Sequence, residues 1–334
     1  MKVFITGGTG FIGGALIEKL LTDGHEVRAL VRSAEKAKSL AAKGVETVIG
    51  DLKDTSSMRG ALSDCEALMH LGSISRWWLE DKKEYYRINV LGTKRLMELA
   101  LEEGVGRIVY TSSLAAIRQP KGMMSRESLE HKGDFESRYS ESKHLAENEV
   151  LILSREKGLP VVILNPGVVI GPGSVKTFDR MLIEYINKTL KFIPFPDTVV
   201  PLIFIDDVVK AHTQALGAGK EGEKYILVGE NISIGRVFKI VEELTGIGPP
   251  TLKFQPYLLK MMVLLWETKS LFNRKPPRLS LDAYRAMAEG AMGDNKKARE
   301  ELGIEFTPLR EALRETLKWY GESGYFLNPV QISQ

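Results

Sequence analysis

A tyrosine and a lysine four positions apart carry the clearest chemical signal in this chain, in the segment Arg138-Tyr139-Ser140-Glu141-Ser142-Lys143. This spacing places both side chains on one face of a helix. A phenol has an ordinary pKa of about 10 and is a poor acid at neutral pH, and a neighbouring ammonium would lower that pKa towards the working range. The pair therefore predicts a proton donor, although the same spacing also arises by chance on many helices.

A serine at the end of a predicted strand adds a second polar group. Thr111-Ser112-Ser113 follows the apolar run from Arg107 to Tyr110. Open parallel sheets bind their ligands at the carboxyl ends of the strands. We therefore expect the hydroxyl of Ser113 to hydrogen-bond a carbonyl oxygen that Tyr139 protonates.

A glycine-rich loop near the N-terminus predicts a phosphate site. Gly7-Gly8-Thr9-Gly10-Phe11-Ile12-Gly13 follows a short apolar strand and opens a helical pattern, the context in which such a loop binds a dinucleotide. Gly7 permits the tight turn, Gly10 lets a pyrophosphate approach, and Gly13 lets helix and strand pack closely. The helix N-terminus then offers N–H groups and its positive dipole end to the phosphates. The other loop residues expected at the cofactor are Thr9, Phe11 and Ile12.

The end of the second predicted strand indicates which dinucleotide binds. An acidic residue about 20 positions beyond the loop would hold the ribose diol of NAD. Arg32 and Ser33 stand there instead, and an arginine can pair with the 2′-phosphate of NADP. NADP, as NADPH, is therefore favoured over NAD. Asp51, directly after the third predicted strand, is placed to meet the adenine amino group or to cap the next turn.

Strand-like and helical segments alternate along the first half of the chain. The apolar runs are 3–5, 27–31, 45–49, 67–71, 107–110 and 161–164, and the helical patterns lie near 34–42, 54–62, 82–103 and 138–157. Strands separated by helices predict a Rossmann-type α/β fold, a doubly wound parallel sheet. We expect a cofactor domain over 1–165, rejoined by a strand near 202–230, and a smaller, discontinuous substrate-binding region over 166–330. The segment from Ser113 to Arg138 has no helical period and is expected to be a mobile substrate loop.

Composition excludes several classes of protein. The chain has 334 residues, 43% of them hydrophobic, and a net charge of +3 without basic clusters. These values exclude disorder of the whole chain and do not indicate that the protein binds nucleic acid. A single cysteine, Cys65, excludes an intramolecular disulfide, suits a reducing compartment and favours a cytoplasmic location. No cysteine and histidine cluster has the spacing of a metal site.

The most apolar stretch, 258–266, is interrupted by Lys260 and is shorter than the roughly 20 residues that span a membrane. It fits a buried or pocket-lining helix, or an amphipathic helix that rests on a membrane.

Together the motifs resemble the extended short-chain dehydrogenase/reductases, also called the NAD-dependent epimerase/dehydratase family. The matching segments, in family order over nearly the whole chain, are Gly7-x-x-Gly10-x-x-Gly13, Asp51-Leu52, Asn89-Val90-Leu91-Gly92-Thr93, Ser113, Tyr139-x-x-x-Lys143, Asn165-Pro166-Gly167, 203–208, 294–298 and Leu302-Gly303. The resemblance implies that Ser113, Tyr139 and Lys143 are catalytic. It further implies cofactor contacts by Leu52, Leu71, Gly72, Ser73, Tyr139, Lys143, Pro166 and Val168. Family members often form homodimers through the helices that carry Asn89 and Tyr139, so a homodimer is expected.

Departures from the family pattern favour a reductase. Leu114-Ala115 stands where sugar-nucleotide dehydratases usually carry an Asp-Glu pair, and Val200-Pro201-Leu202 stands where epimerases usually hold the diphosphate with an arginine. An apolar residue cannot neutralise a buried diphosphate. The cations that could replace the arginine from elsewhere are Arg274, Lys275 and Arg278.

The positive resemblance is to the dihydroflavonol-reductase-like and hydroxysteroid-dehydrogenase-like branch, through segments 27–32, 78–81, 86–89 and 257–272. That branch implies NADPH-dependent reduction of a ketone or aldehyde on a mostly apolar small molecule, with Tyr139 as proton donor. A sugar-nucleotide epimerase and a non-catalytic NADPH-binding sensor are the alternatives, and the intact triad argues against the sensor. Candidates for an apolar pocket, equally compatible with the core, are Trp77, Trp78, Met123, Met124, Tyr257, Met261 and Trp266. His70 and His144 are expected to be structural.

Overall fold

The computed structural model describes residues 1–250, 252 and 255–333. Its strands are β1 (Lys2–Thr6), β2 (Glu26–Val31), β3 (Glu46–Ile49), β4 (Ala67–His70), β5 (Arg107–Thr111), β6 (Val161–Pro166), β7 (Val168–Ile170), β8 (Val199–Phe204), β9 (Lys224–Leu227) and β10 (Glu230–Ser233). Within these described residues, seven strands form a parallel sheet in the order β3-β2-β1-β4-β5-β6-β9, and three form a smaller sheet in the order β10-β8-β7. The predicted α/β fold is confirmed.

The helices are α1 (Phe11–Thr22), α2 (Ala34–Ala41), α3 (Thr93–Glu102), α4 (Arg138–Lys157), α5 (Thr177–Ile186), α6 (Ile205–Gly217), α7 (Ile234–Thr245), α8 (Pro256–Asn273), α9 (Leu281–Glu289), α10 (Lys296–Leu302) and α11 (Leu309–Glu322). A capping box sets the start of α4, because the side chains of Ser137 and Ser140 each accept the other's backbone N–H. Gly158 ends α4 in the left-handed conformation, at φ 68°. Among the described residues, no helix could cross a membrane.

The large sheet is covered on both faces. Val3 and Ile5 of β1 pack in one core cluster, and Phe4 between them packs in another. All three side chains are fully buried. Because successive side chains of a strand point to opposite faces, β1 is buried on both sides. The strands read as continuous apolar runs in the sequence because both of their faces are buried.

One helical prediction was wrong, and another was right in extent but not in the type of helix. Only a short 3₁₀ helix, Thr55–Met58, forms in the predicted segment 54–62, where the carboxylate of Asp54 accepts the backbone N–H of Ser56. The predicted segment 82–103 is a π-helix, Tyr85–Gly92, continued by α3. Its wider turn shifts the period that the sequence pattern assumes.

The segment between Ser113 and α4 is anchored to the rest of the fold rather than free. Arg118 and Glu136 form a buried ion pair at 2.9 Å, and the carboxylate of Glu127 accepts the N–H of Ile226 on β9 at 2.8 Å. Ser125 also forms an isolated parallel β-bridge with Gly293. The sequence analysis did not predict these contacts, because polar contacts to distant residues leave no periodic pattern in the sequence. Mobility of the segment stays a prediction.

The C-terminal part of the chain returns to the large sheet. β9 pairs with β6 from Ile163 to Pro166, so residues 224–227 extend the sheet of the N-terminal half. The boundary expected at residue 165 falls at the carboxyl end of β6. A division into two domains stays a prediction.

Candidate active site

The glycine-rich loop is shaped so that a phosphate could approach its backbone. Gly7 has φ 76°, and a Cβ there would lie 2.7 Å from the carbonyl carbon of Leu71. A Cβ on Gly13 would lie 2.3 Å from the carbonyl oxygen of Gly7. Gly10 precedes α1 and provides no side-chain cap, so the first N–H groups of the helix have no capping side chain in front of them. These residues fit a dinucleotide pyrophosphate.

Residues predicted to line the cofactor gather at the carboxyl ends of β1 and β4. The N–H of Gly72 donates to the hydroxyl of Thr6 at 3.0 Å, and a Cβ on Gly72 would lie 2.9 Å from the side chain of Leu52. Leu71 is half-buried and Ser73 is exposed beside it. In the loop itself, Thr9 is exposed, and Phe11 and Ile12 are half-buried.

Arg32 and Asp51 differ in their surroundings. Arg32 is exposed directly after β2 and forms no hydrogen bond or ion pair with any described residue. The carboxylate of Asp51 accepts the N–H of Lys53 at 3.0 Å, so it caps the following turn. A contact of Asp51 with adenine stays a prediction.

The phenol of Tyr139 and the hydroxyl of Ser113 come together. Burial raises the pKa of Tyr139, a hydrogen bond with Ser113 lowers it, and the charge of Glu136 raises it. The sequence predicted a lowered pKa, caused by Lys143. That prediction was wrong, because Lys143 has no part in the shift and burial is its largest cause, so Tyr139 is protonated at neutral pH.

The ammonium of Lys143 is directed at the end of β5. Its Nζ donates to the carbonyl of Thr111 at 2.8 Å and to the hydroxyl of Tyr110 at 3.1 Å, and it lies 4.7 Å from the Tyr110 ring centre. Burial lowers the pKa of Lys143 to about 7, against the opposing effect of the Glu147 carboxylate. The charge of Lys143 is therefore sensitive to pH near neutrality.

Sequence reasoning missed a buried carboxylate next to these residues. Glu147 accepts the hydroxyl hydrogen of Ser112 at 2.6 Å and the amide of Asn165 at 2.7 Å, and the Lys224 ammonium lies 3.4 Å away. The same amide nitrogen donates to the backbone carbonyl of Ser113 at 3.0 Å. The signal was available in the sequence, because Glu147 continues the four-residue spacing of the tyrosine and the lysine.

Asn89 connects the π-helix to the site. Its side-chain oxygen accepts the N–H of Ile74 at 2.7 Å, and its amide donates to the Ile74 carbonyl at 3.0 Å and to the hydroxyl of Ser142 at 2.9 Å. Ser142 lies on α4 between Tyr139 and Lys143. The fully buried Asn89 therefore ties the chain after β4 to the helix of the predicted triad.

The two histidines flanking the site have structural partners. His70 is hydrogen-bonded to Thr6 at 2.6 Å and to Thr93 at 2.9 Å, and burial lowers its pKa to about 3. His144 donates to the carbonyl of Ala116 at 2.9 Å. Both side chains brace neighbouring elements.

Of the pocket candidates, the structure brings Trp77 to the site. Its ring meets the ring of Tyr139 edge-on at 5.8 Å between centres, and its carbonyl accepts the hydroxyl hydrogen of Ser280 at 3.0 Å. Trp78 and Trp266 are half-buried, while the more exposed candidates are Met123, Met124, Tyr257 and Met261. Met123 lines a cavity of about 220 Å³ whose lining includes Glu289 of α9.

The last two predicted cofactor residues lie at the end of β6 and in β7. Pro166 is buried at the end of β6, and Val168 is half-buried in β7. Among the described residues, no group of histidine, cysteine, aspartate and glutamate side chains is arranged to hold a metal ion.

Comparison with known proteins gives matches over nearly the whole chain. The model of the NAD dependent epimerase/dehydratase family matches residues 3–235. Sterol demethylase protein B of Methylococcus capsulatus is 32% identical and covers 97% of this chain and 99% of its own. A putative dihydroflavonol 4-reductase of Synechocystis sp. is also 32% identical, over 96% of this chain and 95% of its own.

Solved structures show the same fold. The crystal structure of gox2253 superposes with a TM-score of 0.81, at 33% identity, over 97% of this chain and 99% of its own. MoeE5, solved in complex with UDP-glucose and NAD, superposes with a TM-score of 0.78 at 24% identity, over 97% of this chain and 99% of its own.

Proposed function

Because this chain belongs to the NAD dependent epimerase/dehydratase family, we propose that it is an NADPH-dependent oxidoreductase that reduces a ketone or aldehyde on a mostly apolar small molecule. The observation that carries this proposal is the pairing of the Tyr139 phenol with the Ser113 hydroxyl. Two O–H groups that converge on one point can bind and protonate a carbonyl oxygen.

Each residue of the site has a separate part in this reaction. Ser113 donates a hydrogen bond that orients the substrate carbonyl, and Tyr139 transfers its phenolic proton to the carbonyl oxygen. Lys143 keeps a positive charge near the developing phenolate. When bound, NADPH supplies the hydride that reaches the carbonyl carbon. The aromatic edge of Trp77 against Tyr139 suits an apolar substrate.

An epimerase acting on a sugar nucleotide is the second candidate. It would need a cation for the diphosphate, and β8 offers the buried Pro201 and Leu202 at the expected place. The exposed cations Lys275 and Arg278 have no ion-pair partner among the described residues and could take that part.

Arg32 supports the choice of NADPH. Its exposed guanidinium has no partner of its own among the described residues, and so it is available to a 2′-phosphate. The test is to measure the dissociation constants of NADP(H) and NAD(H) for the wild type and for Arg32→Ala. We expect a preference for NADP(H) of about tenfold, or about 1.4 kcal/mol, that is lost in the variant. Arg236→Ala removes another exposed, unpaired arginine, on α7, and should keep the preference.

Turnover separates the two candidate functions. A reductase consumes NADPH stoichiometrically with a carbonyl substrate, whereas an epimerase interconverts nucleotide sugars without net consumption. Tyr139→Phe should reduce NADPH-dependent turnover by about 10²–10⁴-fold. Equal or tighter binding of NAD(H), with interconversion of a nucleotide sugar, would support the epimerase instead.

We also propose a homodimer that forms through α4. Leu145 and Ile152 are 37% and 45% exposed and lie seven residues apart on this helix, hence on one face. An apolar stripe on the helix that carries Tyr139 suits a partner helix.

A further inference from the structure

The helix α8 exposes an unusual amount of apolar surface. Leu265, Leu271 and Phe272 are 70%, 75% and 84% exposed. The other exposed apolar side chains of this helix are Tyr257, Leu258, Met261 and Leu264. Contiguous exposed apolar surface of this kind marks an interaction site.

These side chains lie on one face of the helix, where Thr268 is the one exposed polar residue among them. At 100° per residue, the seven exposed apolar positions of α8 fall within an arc of about 140°. Its buried residues, Leu259, Val263 and Ser270, fall on the opposite side, which packs against the fold. The helix is therefore apolar on two sides, and only one of them is covered.

Basic side chains border the uncovered face. Lys260 and Lys269 are exposed and lie about 20° outside its two edges. The exposed residues Arg274, Lys275 and Arg278 follow the helix directly. Of the nearby acidic groups, Glu267 accepts the N–H of Leu281 and Glu80 pairs with Arg274. Lys275 and Arg278 have no ion-pair partner among the described residues.

The charges around this face indicate which kind of partner binds there. A second copy of the chain packed on α8 would bring two sets of basic side chains together, and like charges repel. A bilayer with anionic lipids offers hydrocarbon to the apolar side chains and negative headgroups to the lysines and arginines.

We propose that α8 docks this protein on an anionic membrane surface, with its apolar face below the headgroups and Lys260 and Lys269 at their level. The helix lies parallel to the surface, because its two lysines stand on opposite edges of the face rather than at one end. This interaction goes beyond the proposed reaction and does not depend on it.

Contacts connect α8 with the active site. Glu267 binds the start of α9 through Leu281, and Ser280 binds the carbonyl of Trp77, whose ring touches that of Tyr139. Docking through α8 therefore places the site close to the lipid. Access of a membrane-dissolved substrate to the site is a consequence that rests on the proposed function.

The test is sedimentation of the full chain with vesicles of phosphatidylcholine, with and without phosphatidylglycerol. We expect binding to be stronger by about tenfold or more on the anionic vesicles, and to weaken as salt is raised. Leu265→Gln and Phe272→Gln should each weaken binding by about tenfold. Lys260→Gln with Lys269→Gln should reduce the preference for anionic lipid. Leu327→Gln, at a residue 73% exposed outside α8, is the matched control and should bind like the wild type.

Two outcomes would overturn the proposal. One is wild-type binding no stronger on anionic than on neutral vesicles at low salt. The other is a lipid-free dimer, measured by light scattering, that Leu265→Gln dissociates, because the face would then belong to a second copy. A dimer that survives both α8 substitutions lies elsewhere and is compatible with membrane docking. Circular dichroism and NADPH affinity verify that each variant is folded.

Discussion

Tyr139, Lys143 and Glu147 lie along one face of α4, and each meets a different environment. The phenol is half-buried beside Ser113, the ammonium is buried against β5, and the carboxylate is buried among hydrogen-bond donors. Burial favours the neutral phenol and the neutral amine, while the carboxylate favours the charged amine. For the proposed reaction we therefore predict that Glu147 is a positioning residue, which acts through Lys143 and through the strand end that carries Ser113.

Replacing Glu147 by glutamine tests this part directly. The carboxylate raises the pKa of Lys143, so Glu147→Gln should lower it below its present value of about 7. Lys143 then loses its proton at a lower pH. We expect the fall of kcat/KM on the alkaline side to move to lower pH. If Glu147 only filled space, the glutamine variant would have the same pH profile as the wild type.

A matched control stands on the same helix. Glu149 is half-buried and pairs with Lys94 at 2.7 Å. Glu149→Gln removes a carboxylate from α4 without touching the strand end, and its pH profile should overlay that of the wild type. An unshifted profile for Glu147→Gln would contradict the assigned part.

Among the elements, the first strand, the glycine-rich loop and α1 act as one unit. α1 begins directly after Gly10 and passes so close to the loop that Gly13 has no room for a side chain. The close approach directs the helix N-terminus at the place where a pyrophosphate would bind. On the other side of the site, the π-helix has its wider turn where Asn89 reaches α4. The π-helix thus departs from regular α-helix geometry where it approaches the site.

A pair of glycine substitutions on α1 tests this close packing. Gly13→Ala would place a Cβ 2.3 Å from a backbone oxygen, and should cost about 1–3 kcal/mol of unfolding free energy and weaken NADPH binding. A Cβ on Gly14 would have its nearest neighbour at 3.8 Å. Gly14→Ala should therefore be neutral or stabilise the protein by about 0.5–1 kcal/mol. Urea denaturation and NADPH titration measure both variants, and equal behaviour of the two would contradict the packing argument.

In the whole molecule, buried histidines join separate parts of the chain. His212 on α6 is hydrogen-bonded to Thr111 at the end of β5 at 2.7 Å, and it donates to the carbonyl of Val208. Burial lowers the pKa of His212 to about 4, from 6.5 when exposed, although the Val208 carbonyl opposes the shift. The contact braces the strand end next to Ser113 from the side of the C-terminal half.

This histidine should make stability depend on pH. Between pH 6.5 and about 4 the unfolded chain holds a proton on His212 that the folded protein does not. The contribution of this residue to the unfolding free energy therefore falls as the pH is lowered through that range. Buried carboxyls such as Asp179 and Asp207, whose pKa values are raised by burial, act in the opposite direction.

A variant isolates the effect of His212. We expect the stability of His212→Gln relative to the wild type to increase steadily as the pH is lowered from 6.5 towards 4, measured by urea denaturation. His25→Gln, a change of the same kind at the turn before β2, serves as the comparison. A constant difference in unfolding free energy between His212→Gln and the wild type over this range would contradict the prediction.

The sequence alone determined the alternation of strands and helices in the first half of the chain, the parallel sheet and the family, because these depend on local patterns and on motifs of fixed spacing. The glycine-rich loop and the spacing of Tyr139 and Lys143 are patterns of this kind. Their parts in binding and catalysis stay predictions, as does the choice of NADP.

Only the tertiary structure decided which side chains meet across long distances in the chain. It joined Glu147 to Ser112 and Asn165, and it placed Trp77 against Tyr139. It also anchored the segment after Ser113 and left one apolar face of α8 uncovered. The physical reason is the same throughout, because burial and pairing are properties of the surroundings of a side chain, and those surroundings come from residues far away in the sequence.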